Sequence, residues 1–483
     1  MSRSPVEIPE EYGLFIDGEW VDASSGETFE TIDPASEEVV ATVAAANADD
    51  VDAAVSNAAD ALDEWRSVPG RERGRILMDV ADAIREDADR LAWIETVDNG
   101  KPLSQAKTDV LRCGEYVAYY AGMADKIEGE SIPMSEGYVD YTVHEPLGVT
   151  GHIIPWNFPV GILGRGLAPA LAAGNTVVAK PAEQTPLSAL EIGALAVEAG
   201  LPAGVFNVVP GFGPDAGEPL VRHDDVAQVT FTGSVPTGRL VGKAAIEGLK
   251  PVHLELGGKN PNVVYPDADL DRAVESTVKS IFSRNAGQVC SSGSRLLLHE
   301  DVHDEFLDRL LTAVDDLSIA PGVEDPDVAA ITSKEQFDSI MEYIEIGREE
   351  AGEPLIGGEA VDRTGYFIEP TIFDGVEMDM RIAREEIFGP VLSVLTFSDE
   401  REAIEIANDV DYGLVSGIFT SDIGRAHRFA REVDAGGVYI NEWFSSGIEA
   451  PFGGYKDSGL GRAKGLAALE EYTQTKNVCA RID

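Results

Sequence analysis

Between Gly148 and Gly258 the sequence alternates short apolar runs with amphipathic stretches, and this rhythm narrows the fold more than any other feature. "GVTGHIIPW", "NTVVAKP", "GVFNVVPG", "VAQVTFTG" and "VHLELGG" read as strands. "GLAPALAAG", "PLSALEIGALAVEAG" and "PTGRLVGKAAIEGL" read as helices between them. Pro186 stands where a helix starts and Gly200 where one stops, the ends at which those residues are favoured. Near-continuous apolar strands are buried on both faces, and strands joined by helices run parallel through right-handed crossovers. The expected fold class is α/β, with a Rossmann-like domain ending near residue 254. A second α/β portion follows, with strands "NPNVVYP" and "GPVLSVLTF" and helices around residues 305–317 and 402–407. Upstream, Val51, Ala54, Val55, Ala58, Leu62 and Trp65 recur at helical spacing, as do Ile76, Leu77, Val80 and Ile84.

Charge limits the partners. Lys and Arg number 37 against 86 Asp and Glu, a formal net charge of −49. The acids are spread along the chain rather than gathered in a tail, so they describe a solvated acidic shell of the halophile type. Nucleic acid and anionic membrane surfaces are poor partners for such a chain. No apolar run approaches the ~18 residues of a membrane span, and "MSRSPVEIPEEYG" has no apolar core of a secretory leader. Cys113, Cys290 and Cys479 are three cysteines without a C-x-x-C pair. That favours a reducing, cytoplasmic setting and no disulfide framework or metal site.

Three polar residues sit at places where chemistry could be done. Asn157 in "PWNFP", Glu255 in "LELGG" and Cys290 in "NAGQVC" each have an ordinary alternative: a helix cap, an ion-paired strand residue, a core thiol. Together they form a chemical set. A thiolate attacks a carbonyl carbon, an amide with the Cys290 N–H binds the oxyanion, and a carboxylate activates water. None of the seven histidines lies in a nucleophile-partner motif, which disfavours a Cys–His hydrolase. "FTGSVPTG" places Gly233 after a strand and Gly238 in the helix start, a context that suits a pyrophosphate. Lys180 and Glu183 in "AKPAEQTP" follow a strand's carboxyl end, where a lysine and an acid can meet ribose hydroxyls.

"PWNFP", "ALAAGNTVVAKPAEQTP", "FTGS", "LELGGKNP", "NAGQVC", "EEIFGPV" and "PFGGYKDSGLGR" follow one another in an order that resembles the aldehyde dehydrogenase superfamily over nearly the whole chain. The resemblance implies that fold, with a cofactor domain (1–127 and 147–254), a catalytic domain (255–466) and an oligomerisation β-element (128–146 and 467–483). It implies Cys290 as nucleophile, Asn157 as oxyanion donor and Glu255 as base for thioester hydrolysis. Lys180 and Glu183 would hold the adenosine ribose, Gly233 and Ser234 the pyrophosphate, and Trp156 would line the cleft. Glu386 and Phe388 would position the nicotinamide ribose and ring. The implied order is thiohemiacetal, hydride to the nicotinamide, thioester, then acid. The expected cofactor is NAD or NADP; Glu183 should repel a 2′-phosphate, while Lys180 could pair with one. The Glu255–Cys290 spacing is one residue longer than usual in the family, which places an extra residue in "KSIFSRNAGQ".

Arg165, Arg284 and Ser446 match positions where succinic-semialdehyde-type members hold a substrate carboxylate, a task suited to arginine's planar fork. The expected substrate is thus a carboxylated semialdehyde: succinic semialdehyde or α-ketoglutaric semialdehyde (2,5-dioxopentanoate), the latter favoured by Gly447 and Ile448. The alternatives are a CoA-acylating relative or a non-enzymatic protein that reuses the fold. The resemblance also implies a homotetramer or homodimer, with the tail "YTQTKNVCARI" pairing against a neighbouring subunit.

Overall fold

A computed structural model describes residues 6–483; Met1–Pro5 of the expected 1–127 segment lie outside them. The alternating region folds into strand β1 (Val149–Ile154), helix α1 (Pro159–Ala173), β2 (Thr176–Pro181), α2 (Leu187–Glu198), β3 (Phe206–Val208), β4 (Val226–Thr232), α3 (Val235–Glu247) and β5 (Val252–Glu255). These strands lie side by side in the order β5-β4-β1-β2-β3, all parallel. The chain builds outward from β1 in one direction, then returns to lay down β4 and β5 on the other side. The switch therefore falls between β1 and β4, where an open parallel sheet leaves a crevice at its carboxyl ends.

Two additions come from distant sequence. Leu14–Ile16 and Glu19–Val21 form a hairpin antiparallel to β3, and Gly459–Leu460 adds antiparallel to β5. Helix α1 starts seven residues before the "GLAPALAAG" segment that marked it in the sequence. Glycine at 164 and 166 permits close packing of this helix. A Cβ on Gly164 would lie 2.6 Å from the Cys113 sulfur, and one on Gly166 would lie 2.8 Å from His152 Nδ1. Gly174 ends the helix in the left-handed conformation, φ 97°.

The second sheet is also parallel, ordered β8-β9-β7-β6-β10-β11, from β6 (Pro261–Val264), β7 (Arg295–His299), β8 (Thr371–Phe373), β9 (Val391–Phe397), β10 (Val415–Phe419) and β11 (Gly437–Ile440). It has its own core around Phe282, Phe306, Phe373 and Phe397, separate from the cores that flank the first sheet. Helices at His303–Asp315 and Glu400–Asn408 cover it where the sequence placed helices. The tail Thr473–Arg481 pairs antiparallel with Tyr138–Pro146 of its own chain, and Ser131–Ile132 completes a three-stranded sheet. One edge of the tail is thus taken within the chain, and the other is the sheet's open edge. No helix among the described residues is long and apolar enough to cross a membrane.

Candidate active site

The two sheets meet end to opposite end. Pro155–Asn157 follows β1, Gly233 and Ser234 follow β4, and Glu255 closes β5, so the first sheet presents its carboxyl edge. The second presents its amino edge: Lys259 and Asn260 precede β6, and Cys290–Ser294 precede β7. A cavity of about 250 Å³ lies between them. Its walls bring together eight of the residues singled out in the sequence: Trp156, Asn157, Gly233, Ser234, Glu255, Cys290, Glu386 and Phe388.

The loop that carries Cys290 is held in a strained backbone. Asn285 and Ala286 have φ of 47° and 50°, a region that side chains other than glycine enter at a cost of about 1–2 kcal/mol. Phe388 (φ 59°) and Lys464 (φ 65°) share this feature. Such strain collects where tertiary contacts hold a functional conformation. Here those contacts are visible. Asn285 N–H donates to Gln105 Oε1 at 3.0 Å, its Nδ2 donates to the Asn157 carbonyl at 3.0 Å, and Asn157 Nδ2 donates to the Gln288 carbonyl at 2.9 Å. Asn157 therefore does not cap α1, whose N-cap is Phe158; its second amide hydrogen remains for another acceptor. Lys279–Ser283, within the segment expected to hold an extra residue, form a π turn in which Arg284 N–H reaches the Lys279 carbonyl at 3.3 Å.

Cys290 is only partly buried and lies at the cavity wall rather than in a core. Burial pushes its thiol up to about 12, opposed by the Arg165 guanidinium and reinforced by the Glu255 and Glu386 carboxylates. Glu386 is itself pushed up to about 7 by burial, although Gly258 N–H donates to its Oε1 at 2.8 Å. Glu255 is 2 % exposed. Arg165 Nη1 stands 3.5 Å from its Oε2, and His253 Nε2 stands 3.4 Å from its Oε1.

A second cavity, about 430 Å³, has largely apolar walls from Ile153, Phe231, Leu240 and Val241, with Lys180 at its base. Lys180 Nζ donates to the carbonyls of Pro181 and Gly211 at 2.9 and 2.5 Å and stands 3.6 Å from Glu183, which is partly exposed. Between the cavities, α3 begins without a side-chain cap, because Ser234 Oγ donates instead to Thr237. Its first-turn N–H groups are left for an outside acceptor. Gly238 lets this helix sit on β5; a Cβ there would come within 2.4 Å of Leu256. An apolar slot with Lys180 and its neighbour Glu183 beside it, and a helix N-terminus free of a side-chain cap, fit a dinucleotide.

Arg284 and Ser446 line neither cavity. Arg284 Nη2 is 2.6 Å from Asp109, and its guanidinium lies over the Phe158 ring at 5.0 Å. Ser446 Oγ accepts from Lys464 Nζ at 2.9 Å. Lys464 is a residue the sequence did not single out. It is 8 % exposed. Burial, with repulsion from Arg165 and Arg112, draws its ammonium down to about 8. Lys464 and Arg165 both face the Phe452 ring, at 5.6 and 5.5 Å. His253 was equally unmarked, yet a signal existed: residues two apart on a strand share a face, so 253 must lie beside 255.

This geometry agrees with what the chain is similar to. Residues 20–478 match the model of the "Aldehyde dehydrogenase family". An aldehyde dehydrogenase of Emericella nidulans is 46% identical over 473 residues, covering 97% of this chain and 95% of that protein. The chain belongs to the aldehyde dehydrogenase family. Among solved structures of the family, the NAD+ complex of the Bacillus cereus enzyme superposes with a TM-score of 0.96 at 44% identity, covering 98% of this chain and 97% of that one. An NAD-dependent aldehyde dehydrogenase from Sinorhizobium meliloti gives 0.97 at 40% identity, covering 100% and 97%. The protein is accordingly an oxidoreductase of the aldehyde dehydrogenase type, with the mixed α/β fold of that family.

Proposed function

We propose that this aldehyde dehydrogenase oxidises a semialdehyde that carries a carboxylate at its far end, α-ketoglutaric or succinic semialdehyde, to the corresponding acid. The observation that carries this reading is the surplus of positive charge around Phe452. Lys464 and Arg165 flank that ring, and Ser446 is hydrogen-bonded to the lysine. The two cations repel each other in a buried place, and although Glu255 and Glu449 partly offset them the Lys464 ammonium is still drawn down, so an anion brought from outside would stabilise the pair further. Arg284 contributes less to this clamp than its sequence position implied, because Asp109 already faces it.

In this reading residues 1–127 and 147–254 hold the cofactor, 255–466 supply the nucleophile, and 128–146 with 467–483 serve assembly as a homodimer or homotetramer. Lys180 and Glu183 would hold the adenosine ribose, the α3 N-terminus with Gly233 and Ser234 the pyrophosphate, and Glu386 and Phe388 the nicotinamide end; Glu183 favours NAD over NADP. When bound, the nicotinamide supplies the oxidant for the aldehyde carbon. Cys290 Sγ forms the bond to that carbon, and its proton passes to a neighbouring carboxylate. Asn157 Nδ2 and the Cys290 N–H steady the oxyanion. Glu255 then takes a proton from the water that cleaves the thioester, releasing acid and free thiol.

The test is a substrate panel at molar salt, with both nicotinamide cofactors, on the wild type and Lys464→Met. Removing the ammonium should raise KM for carboxylated semialdehydes roughly tenfold or more and leave straight-chain aliphatic aldehydes within about twofold. Equal effects on both classes would refute the carboxylate reading.

A further inference from the structure

On the face of the first sheet that looks toward Tyr472, three neighbouring strands place polar side chains in register. His152 of β1 pairs with Thr230 of β4, which pairs with His253 of β5; one step further along, Thr232 pairs with Glu255. His253 and Glu255 alternate onto the same face of β5. The two ring nitrogens of His253 have different partners. Nε2 is 3.4 Å from Glu255 Oε1, and Nδ1 is 3.4 Å from Glu471 Oε2. His253 is 4 % exposed and Glu255 2 %, whereas the Glu471 side chain is 29 % exposed. The arrangement is thus a line of three titratable groups that starts at the active-site carboxylate, passes through the sheet face and ends at the surface.

The surroundings keep this line polar. His152 Nδ1 and Glu255 Oε2 are buried without a hydrogen-bond partner among the described residues, and both border a small cavity of about 10 Å³, room for about one water. Glycine at 166 leaves the space that His152 occupies. The Tyr472 hydroxyl contacts Thr230 at 3.1 Å, and its ring stacks on His152. Arg462 N–H donates to Glu471 Oε1 at 2.6 Å, leaving Oε2 to face His253.

We propose that Glu255, His253 and Glu471 form a proton exit. His253 acts as a positioning residue for Glu255 and carries to the surface the proton that Glu255 removes from hydrolytic water. This rests on the reading of Glu255 as the base for thioester hydrolysis. The balance is simple. Water adds to the thioester carbonyl, its proton goes to Glu255 Oε1, the carbon–sulfur bond breaks, and the proton of the new carboxylic acid passes to the departing sulfur, which gives the carboxylate and the Cys290 thiol. The Glu255 proton passes to His253 Nε2 while the proton on Nδ1 passes to Glu471 Oε2, and from there to solvent. The ring then returns to its first tautomer by a ring flip, so that the proton delivered to Glu471 is not carried back to Glu255. Without an exit, each turnover leaves Glu255 protonated in a buried site flanked by Arg165 and by the Lys464 charge, and the next water meets an acid instead of a base. His152 does not compete for the proton, since burial, with the nearby His253, holds its imidazole down at about 3.

The experiment needs no nicotinamide. An activated ester, p-nitrophenyl acetate, acylates Cys290; the burst reports acylation and the steady rate reports hydrolysis of the resulting thioester. Three variants of the full chain are compared across pH 5–9: His253→Gln, Glu471→Gln and Glu255→Gln. The glutamine at 253 can still hydrogen-bond Glu255 but cannot pass a proton. His253→Gln and Glu471→Gln should each keep the burst and the KM within about twofold and lower the steady rate roughly tenfold or more, with the acid limb moved to higher pH. A His253→Gln enzyme that hydrolyses at the wild-type rate with an unmoved pH profile overturns the exit. A Glu471→Gln enzyme that behaves as wild type while His253→Gln is slow also overturns it, because His253 would then only hold Glu255 in place. Glu255→Gln separates the two ideas: if this enzyme hydrolyses normally, the underlying reading of the base fails whatever the other two show.

Discussion

Cys290, the proposed nucleophile, sits where its thiol is hard to ionise. Desolvation outweighs the Arg165 charge, and the two carboxylates add to it, so the resting state is the protonated thiol, pushed up to about 12. The thiolate is the reactive form, so alkylation by iodoacetamide should climb about tenfold per pH unit between pH 7 and 9 without levelling. Mass spectrometry of the Cys290 peptide measures this apart from the exposed Cys479; a plateau below pH 8 would contradict it. Single residues were legible to different degrees. Cys290, Asn157 and Glu255 stood out because each sat in an unusual motif, and the structure lines one cavity with all three. Lys464 did not, because its burial and its approach to Phe452 are products of tertiary packing that no local pattern encodes. Arg284 was conspicuous in the sequence, but its partner Asp109 lies on a remote helix and could not be read from the nucleophile segment.

At the scale of elements, a buried charge cluster ties the N-terminal helices to the nucleophile loop. Lys101, fully buried, stands 2.8 Å from Glu95 and 3.1 Å from Asp109, and Asp109 also meets Arg284. Lys101→Met would leave Glu95 buried without its cation beside Asp109, which keeps Arg284, a loss of about 3–5 kcal/mol. Urea unfolding should show the midpoint falling without a change in slope; a loss below about 1 kcal/mol would mean that the cluster relaxes into solvent. The strand–helix rhythm of the first sheet was legible because parallel strands buried on both faces need unbroken apolar runs. Its outer strands were not, since Leu14–Val21 and Gly459–Leu460 join it from the two ends of the chain. The first turns of α1 lie outside the segment read as a helix, in a stretch where Gly164 serves close packing against Cys113. The π turn at Lys279–Ser283 falls in the segment where the sequence was expected to carry an extra residue, but no local pattern there announced that the helix would widen.

The whole molecule carries a formal net charge of −49, and few of its acidic residues are buried. Their mutual repulsion acts over the Debye length, about 30 Å at 0.01 M and about 3 Å at 1 M salt. Tm should therefore rise steadily with KCl over that range, measured by calorimetry at fixed pH; a flat or falling Tm would show that local ion pairs outweigh the net field. The pairing of a carboxyl edge from one sheet with an amino edge from another has a further meaning at this scale. Neither core owns the reaction: Glu255 is anchored in one, Cys290 in the other, and what lies between is only their agreement on position. Loss of activity on heating or in denaturant is then a gauge of whichever core gives way first, and it will come before the last structure is lost.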